Sequence, residues 1–206
     1  MIRPLLLAGA IAPVIYVALA ASGPLLAPGY DPATQMISEL GVADLPRAAV
    51  FNIGLMLAGV LTVMAGAGFW LALRRAGAGA VAAALAALAV AVFGVSIVIG
   101  GLFPLPDERH LGWGLGYAAQ IAPLLMLVAL WRVPGHAALK LFLGLNVIAV
   151  NALLAVMFGI GDLVDGADVG LWQRAYGLAV YPWIGIAALA LLTSPRPSAL
   201  RPARAF

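Results

Sequence analysis

The residues able to do chemistry in this chain are few, and they gather at the ends of apolar runs. The stretch Asp31-Pro-Ala-Thr-Gln-Met-Ile-Ser-Glu39-Leu-Gly41, with the run Arg47 to Gly54 behind it, is the part that apolar packing does not explain. Glu39 is the first candidate for a functional group. A carboxyl held in an apolar cleft has its pKa raised and stays protonated near neutral pH, which suits a proton donor or a proton-coupled carrier. The plain alternative is an interfacial Glu39 that pairs with Arg47 or faces water. Arg47 and Arg174 are the candidates for holding a polar head group, because a guanidinium forks onto anionic oxygens; structural pairing with nearby carboxylates is the competing expectation for both. Asp107 and His110 complete the catalytic candidates. Asn52 and Gln120 are polar groups at membrane depth and must face protein or water, as ligand contacts or as glue between helices.

Metal and cofactor chemistry is not expected. His110 with Asp107, Glu39 and Asp31 is the one combination that would make a site near Glu39, and a catalytic zinc normally takes more than one histidine. There is no Cys, which excludes thiolate catalysis and Cys-bound metals. No phosphate-binding loop, dinucleotide fingerprint or twin-His helix is present. Asp162, Asp165 and Asp168 lack the ligand alternation of a calcium loop and read as a solvated turn.

The elements that must position these residues are membrane helices. With 65% apolar residues, 9% charged residues and a mean hydropathy of +1.10, the 206-residue chain lies far from the composition of a soluble domain. The apolar residues fall in six blocks, roughly 4–22, 48–73, 80–103, 111–131, 137–160 and 171–193, each long enough to cross about 30 Å of hydrocarbon as a helix. The expectation is an all-α polytopic membrane protein: one six-helix membrane domain over residues 1–195, then a disordered basic tail at 196–206. An N-terminal signal-peptide reading, from Arg3 and Ala18-Leu19-Ala20, is weaker than a retained first span.

Charge sets the expected orientation. One set of helix ends carries Arg3, Arg74, Arg75, Arg132, Lys140, Arg196, Arg201 and Arg204, and the other carries Arg47, Arg109 and Arg174. Basic residues stay on the cytoplasmic side, so both termini are expected there, in the cell membrane. All eight carboxylates lie on the opposite side. The net charge of +3 reflects this anchoring, with no basic soluble face for nucleic acid.

Residues 23–46 form the longest connection. Asp31 can cap a short helix, Pro32 fits its first turn and Gly41 can end it. Met36, Ile37 and Leu40 would make its apolar face, giving an amphipathic helix at the interface. Ala58, Gly59, Ala65, Gly66 and Gly68 allow close helix approach in the second span. Pro13 and Pro123 should disturb the first and fourth.

Met36-Ile-Ser-Glu-Leu-Gly41, Phe51-Asn-Ile-Gly54, Gly101-Leu-Phe-Pro104 followed by Asp107 and His110, and Gly170-Leu-Trp-Gln-Arg174 together resemble the domain-of-unknown-function 998 family of six-span prokaryotic membrane proteins. The resemblance covers essentially the whole chain. It implies the six-span fold and brings no established activity; the Cys often seen after Phe-Pro in that family is absent here.

The functional expectation is an intramembrane enzyme acting on an apolar, lipid-like or isoprenoid substrate. Glu39 would be the general acid, Asp107 and His110 its companions, and Arg47, Asn52, Gln120 and Arg174 would hold the substrate. A small proton-coupled carrier and a non-catalytic accessory subunit are the alternatives. The expected partners are a membrane lipid or other apolar small molecule and, through small-residue helix faces, a second copy or another membrane protein.

Overall fold

The computed structural model describes residues 2–194; the basic tail expected at 196–206 lies outside the described residues. The element order is α1 (Ile2–Ala21), a single-turn α2 (Gly23–Leu26), a 3-10 turn (Ile37–Gly41), α3 (Ala48–Arg75), α4 (Ala80–Leu102), a 3-10 stretch (Glu108–Tyr117), α5 (Ala118–Leu130), α6 (Ala137–Met157), α7 (Val169–Val180) and α8 (Pro182–Thr193). The 3-10 stretch with α5 makes the fourth span, and α7 with α8 the sixth. All six spans are long and apolar enough to cross a membrane. Large apolar side chains such as Val14, Val81, Leu141 and Ile148 are exposed on their outer faces, as a lipid-facing surface requires.

Two spans are not continuous helices. In the fourth, Gly112, Trp113 and Gly114 all take left-handed dihedrals. Gly112-Trp-Gly-Leu-Gly116 supplies glycines where φ must be positive, and only Trp113 takes that conformation against a side-chain penalty. In the sixth, α7 ends at Val180 and α8 begins at Pro182. The proline ring has no N–H for the carbonyl four residues back, so the helix breaks there. Pro13 and Pro123, by contrast, lie inside continuous helices.

Backbone contact holds the second and third spans together. A Cβ at Gly59 would lie 2.7 Å from the Gly94 carbonyl oxygen, and one at Gly94 would lie 2.8 Å from the Gly59 oxygen. Gly9 sits where α1 crosses both α3 and α8, with Ala65 2.9 Å and Ala188 3.2 Å from its would-be Cβ. These small-residue crossings gain dispersion energy that lipid tails cannot offer. Leu6, Phe69, Leu73, Met126, Leu130 and Leu143 are fully buried and fill the half nearest the arginine-rich ends. A second, smaller core of Leu26, Tyr30, Ile37, Leu40, Phe51 and Leu55 seats the 23–46 connection on α3. The expected amphipathic helix is there as a 3-10 turn shorter than the sequence suggested. Ile37 and Leu40 face inward as expected, but Asp31 closes a tight turn instead of starting a helix: its carboxylate accepts from Ala33 N at 2.9 Å and Thr34 Oγ1 at 3.1 Å.

Candidate functional site

The 23–46 connection crosses the carboxylate-bearing end of the bundle as a strap, and the first turns of α7 hold it. Arg174 Nη1 donates to the carbonyls of Pro32 (2.7 Å), Gln35 (3.0 Å) and Gly170 (2.9 Å), and Nη2 donates to the Tyr30 hydroxyl at 2.6 Å. Tyr30 shares its own proton with the carbonyls of Gln35 and Met36. Burial pushes its phenol above the ordinary range, more than the Arg174 hydrogen bond pulls it down, so Tyr30 remains a neutral donor. Gly170 N–H donates to the Ala33 carbonyl at 2.8 Å, and Gln173 Oε1 accepts from Ile37 N–H. The strap's far end is tied to α3, where Asn52 Nδ2 donates to the Gly41 carbonyl at 2.9 Å.

Beneath the strap lies a cavity of about 550 Å³, within the usual range for small-molecule sites. Ile37 and Ser38 form its roof, Phe93 and Tyr181 lie among its inner residues, and its walls come from α1, α3, α4, α6, α7 and the 3-10 stretch of the fourth span. The break before Pro182 places the Tyr181 ring flat against Tyr16, 4.5 Å between centroids, and tilted against Phe93 at 5.3 Å. Thr62 and Tyr181 share a hydroxyl hydrogen bond of 2.8 Å. Lining residues Leu111, Tyr117 and Phe158 are also strongly exposed. They mark the mouth, and the Tyr117 and Phe158 rings stand 6.5 Å apart across it.

Among the residues named from the sequence, His110 lines this cavity, and Glu39, Arg47, Asn52, Asp107, Gln120 and Arg174 do not. The His110 ring is oriented by its Nδ1, which meets the Phe103 carbonyl at 2.9 Å. A carbonyl only accepts, so Nδ1 carries a proton, and in the neutral ring Nε2 is the acceptor. Glu39 is engaged in the strap itself: Oε1 accepts from Met36 N–H at 2.8 Å and Oε2 from the Gln35 amide at 3.3 Å. Arg47 donates to the Leu25 carbonyl. Gln120 donates to the Tyr176 hydroxyl. Asp107 and Arg109 form a two-pronged ion pair of 2.9 and 2.7 Å, with the guanidinium 3.9 Å above the Phe103 ring. The Arg109 hydrogen bonds hold the Asp107 carboxyl down at about 2. Of the three arginines at this end, Arg109 alone meets a carboxylate among the described residues; Arg47 and Arg174 meet backbone carbonyls. Among the described residues no three His, Asp or Glu side chains come together as a metal would need.

Sequence reasoning passed over the cavity's tyrosines. Tyr16, Tyr176 and Tyr181 sit within spans, away from the interfacial belt where tyrosine usually anchors; that position was the available signal. Gln173, beside the arginine that was singled out, is the other omission.

The chain belongs to the family described as protein of unknown function DUF998, whose model matches residues 10–190. No curated protein and no solved structure matches it.

Proposed function

We propose that this protein is an intramembrane enzyme that draws an apolar, lipid-like or isoprenoid molecule from the bilayer into the cavity beneath the strap and acts on its polar end. The observation that carries this is the cavity itself: it is walled by aromatic and branched side chains, and its mouth is framed by the exposed Leu111, Tyr117 and Phe158. An apolar rim of that kind admits a molecule from hydrocarbon more readily than a solute from water. His110 is the group best placed for proton transfer, because Phe103 fixes its tautomer and its free Nε2 belongs to a cavity-lining side chain. Glu39 serves this reaction from the strap, holding the 3-10 turn that sets Ile37 and Ser38 over the cavity.

The protein lies in the cell membrane with its arginine-rich ends, and so both termini, on the cytoplasmic side. The strap and the cavity then belong to the outer leaflet.

The test is native mass spectrometry with lipid extraction on the wild type, Leu154→Trp and His110→Gln, purified in mild detergent. Leu154 lines the cavity, and tryptophan there fills it. The expected result is a lipid that co-purifies with the wild type, disappears from Leu154→Trp, and stays bound but chemically unaltered in His110→Gln. The same lipid at the same occupancy in Leu154→Trp would overturn the proposal. A proton-coupled carrier is the second reading, favoured by the helix break at Tyr181–Pro182. It predicts flux into proteoliposomes that depends on a pH gradient.

A further inference from the structure

The cavity's polar groups have a definite inventory, and it restricts what the polar end of a ligand can be. Among the described residues that line the cavity there is no Lys, Arg, Asp or Glu. The two arginines that a phosphate head would recruit are committed elsewhere, Arg174 to three carbonyls and Tyr30, Arg47 to Leu25. Placing a phosphate in a cavity of this polarity would desolvate a double charge with no cation to meet it.

Some of the uncharged groups are satisfied. The Ser96 hydroxyl donates to the Phe93 carbonyl at 2.7 Å, Tyr181 is paired with Thr62, and Tyr176 accepts from the Gln120 amide while its own proton has no acceptor among the described residues. Gln173 gives its amide oxygen to the strap. The Ser38 and Tyr117 hydroxyls and the Gln173 amide nitrogen have no hydrogen-bond partner among the described residues and are open donors, and two further groups are held in a fixed orientation. The Tyr16 hydroxyl has no hydrogen-bond partner among the described residues, although its ring is stacked firmly on Tyr181. His110, with Nδ1 given to Phe103, offers Nε2 as a bare acceptor. The cavity therefore presents several hydroxyl and amide donors, of which Tyr16 is fixed by its stacking on Tyr181, and the oriented imidazole of His110 as an acceptor. A hydroxyl group is their complement: it accepts from a phenol and donates to an imidazole nitrogen at the same oxygen.

From this we infer that the natural ligand is an uncharged lipid ending in a free hydroxyl, a polyprenyl or similar branched-chain alcohol, and not its phosphate. The inference rests on the proposed use of the cavity and names the substrate class for it. Tyr16 donates to the ligand's oxygen, and the ligand's hydroxyl donates a hydrogen bond to His110 Nε2. An ether of the same chain keeps the first contact and loses the second, and a phosphate ester brings a charge that nothing in the cavity neutralises.

The test measures binding of farnesol, farnesyl methyl ether and farnesyl phosphate to detergent-purified wild type, Tyr16→Phe and His110→Phe, by tryptophan fluorescence and by native mass spectrometry. Farnesol is expected to bind most tightly and the methyl ether about three- to tenfold more weakly, the usual value of one hydrogen bond. The phosphate is expected to bind least. Tyr16→Phe keeps the stacked ring and should weaken farnesol by a similar factor; His110→Phe should erase the difference between farnesol and its ether. Phosphate binding tighter than farnesol would overturn the hydroxyl assignment, as would farnesol binding unchanged by Tyr16→Phe. Either result leaves the cavity's proposed role standing, provided that a lipid still co-purifies with the wild type and not with Leu154→Trp. Failure of all three probes together with absence of any co-purifying lipid would overturn both.

Discussion

Arg174 Nη2 donates to the Tyr30 hydroxyl at 2.6 Å, joining residues 144 positions apart in the chain. The same guanidinium holds the carbonyls of Pro32 and Gln35, so one side chain at the start of the sixth span fixes the strap that roofs the cavity. Removing it leaves a buried phenol and two carbonyls short of a charged donor, and each such hydrogen bond is worth roughly 1.5–3 kcal/mol. Because these contacts are partly solvated, Arg174→Ala should cost about 2–3 kcal/mol. Arg174→Lys should recover little, since an ammonium cannot span the same fork. Thermal unfolding in one detergent checks the magnitude. Hydrogen exchange checks the place: amides of residues 30–41 should lose protection while those of α3 and α4 keep theirs. Protection unchanged in both variants would sink the latch.

Gly170 explains why the strap can lie so close to α7. A Cβ there would come within 2.4 Å of the Gln35 oxygen, 2.5 Å of the Pro32 oxygen and 2.7 Å of the Ala33 oxygen. All three are backbone atoms that cannot rotate away, so Gly170→Ala should lift the strap and expose the same 30–41 amides, at a cost of about 1–3 kcal/mol. Gly166→Ala is the control, with no atom within 4 Å of the added methyl, and should leave exchange unchanged.

Much of the fold was legible because a membrane imposes simple rules. Apolar blocks of spanning length gave the six spans, and Gly59 and Gly66 marked the face on which α3 meets α4. The site was less legible because its decisive features are relational. Nothing in the residue type says that Arg174 will choose carbonyls over a carboxylate; that follows from a strap whose turns leave several carbonyls unpaired and pointing one way. The cavity depends on two helix interruptions. Both had signals: alternating glycines at 112, 114 and 116, and Pro182 behind a tyrosine. Pro13 and Pro123 carry the same signal inside continuous helices, so a proline by itself does not locate a break.

Orientation is testable directly because the chain contains no cysteine. Gly79, between α3 and α4, and Gly166, between α6 and α7, both lie in open space with ordinary dihedrals. In intact cells an impermeant maleimide should label Gly166→Cys and spare Gly79→Cys until the membrane is opened. The reverse pattern would place the strap and cavity in the inner leaflet and overturn the charge-based orientation.

The Asp107–Arg109 pair should be insensitive to acid over most of the accessible range. Arg109 lowers the Asp107 pKa from 3.8 to about 2. For a group with a depressed folded-state pKa, the stabilisation is fully present above the unfolded value and is lost only as pH falls through the folded one. Carboxylate titration followed by infrared spectroscopy, with Asp107→Asn as the difference reference, should show this band protonating near pH 2. Arg109→Gln should move it back up toward the ordinary aspartate range. A wild-type midpoint at the ordinary value would mean that the pair does not persist in solution.

The contact between Gly59 and Gly94 predicts opposite signs for two chemically identical substitutions. Each glycine's missing Cβ is what lets the partner's carbonyl oxygen approach, 2.7 Å in one direction and 2.8 Å in the other. Alanine at Gly94 would also meet Val63 N at 2.7 Å, so α3 and α4 must move apart along their whole crossing, costing about 1–3 kcal/mol. Gly144, inside α6, has its nearest neighbour at 4.0 Å. Alanine there meets ordinary contact and removes the entropy that a helical glycine loses, a gain of roughly 0.5–1 kcal/mol. Gly94→Ala should therefore lower the midpoint of thermal unfolding and Gly144→Ala raise it in the same detergent. If both moved the midpoint equally, direct backbone contact between the second and third spans would not be what holds them together.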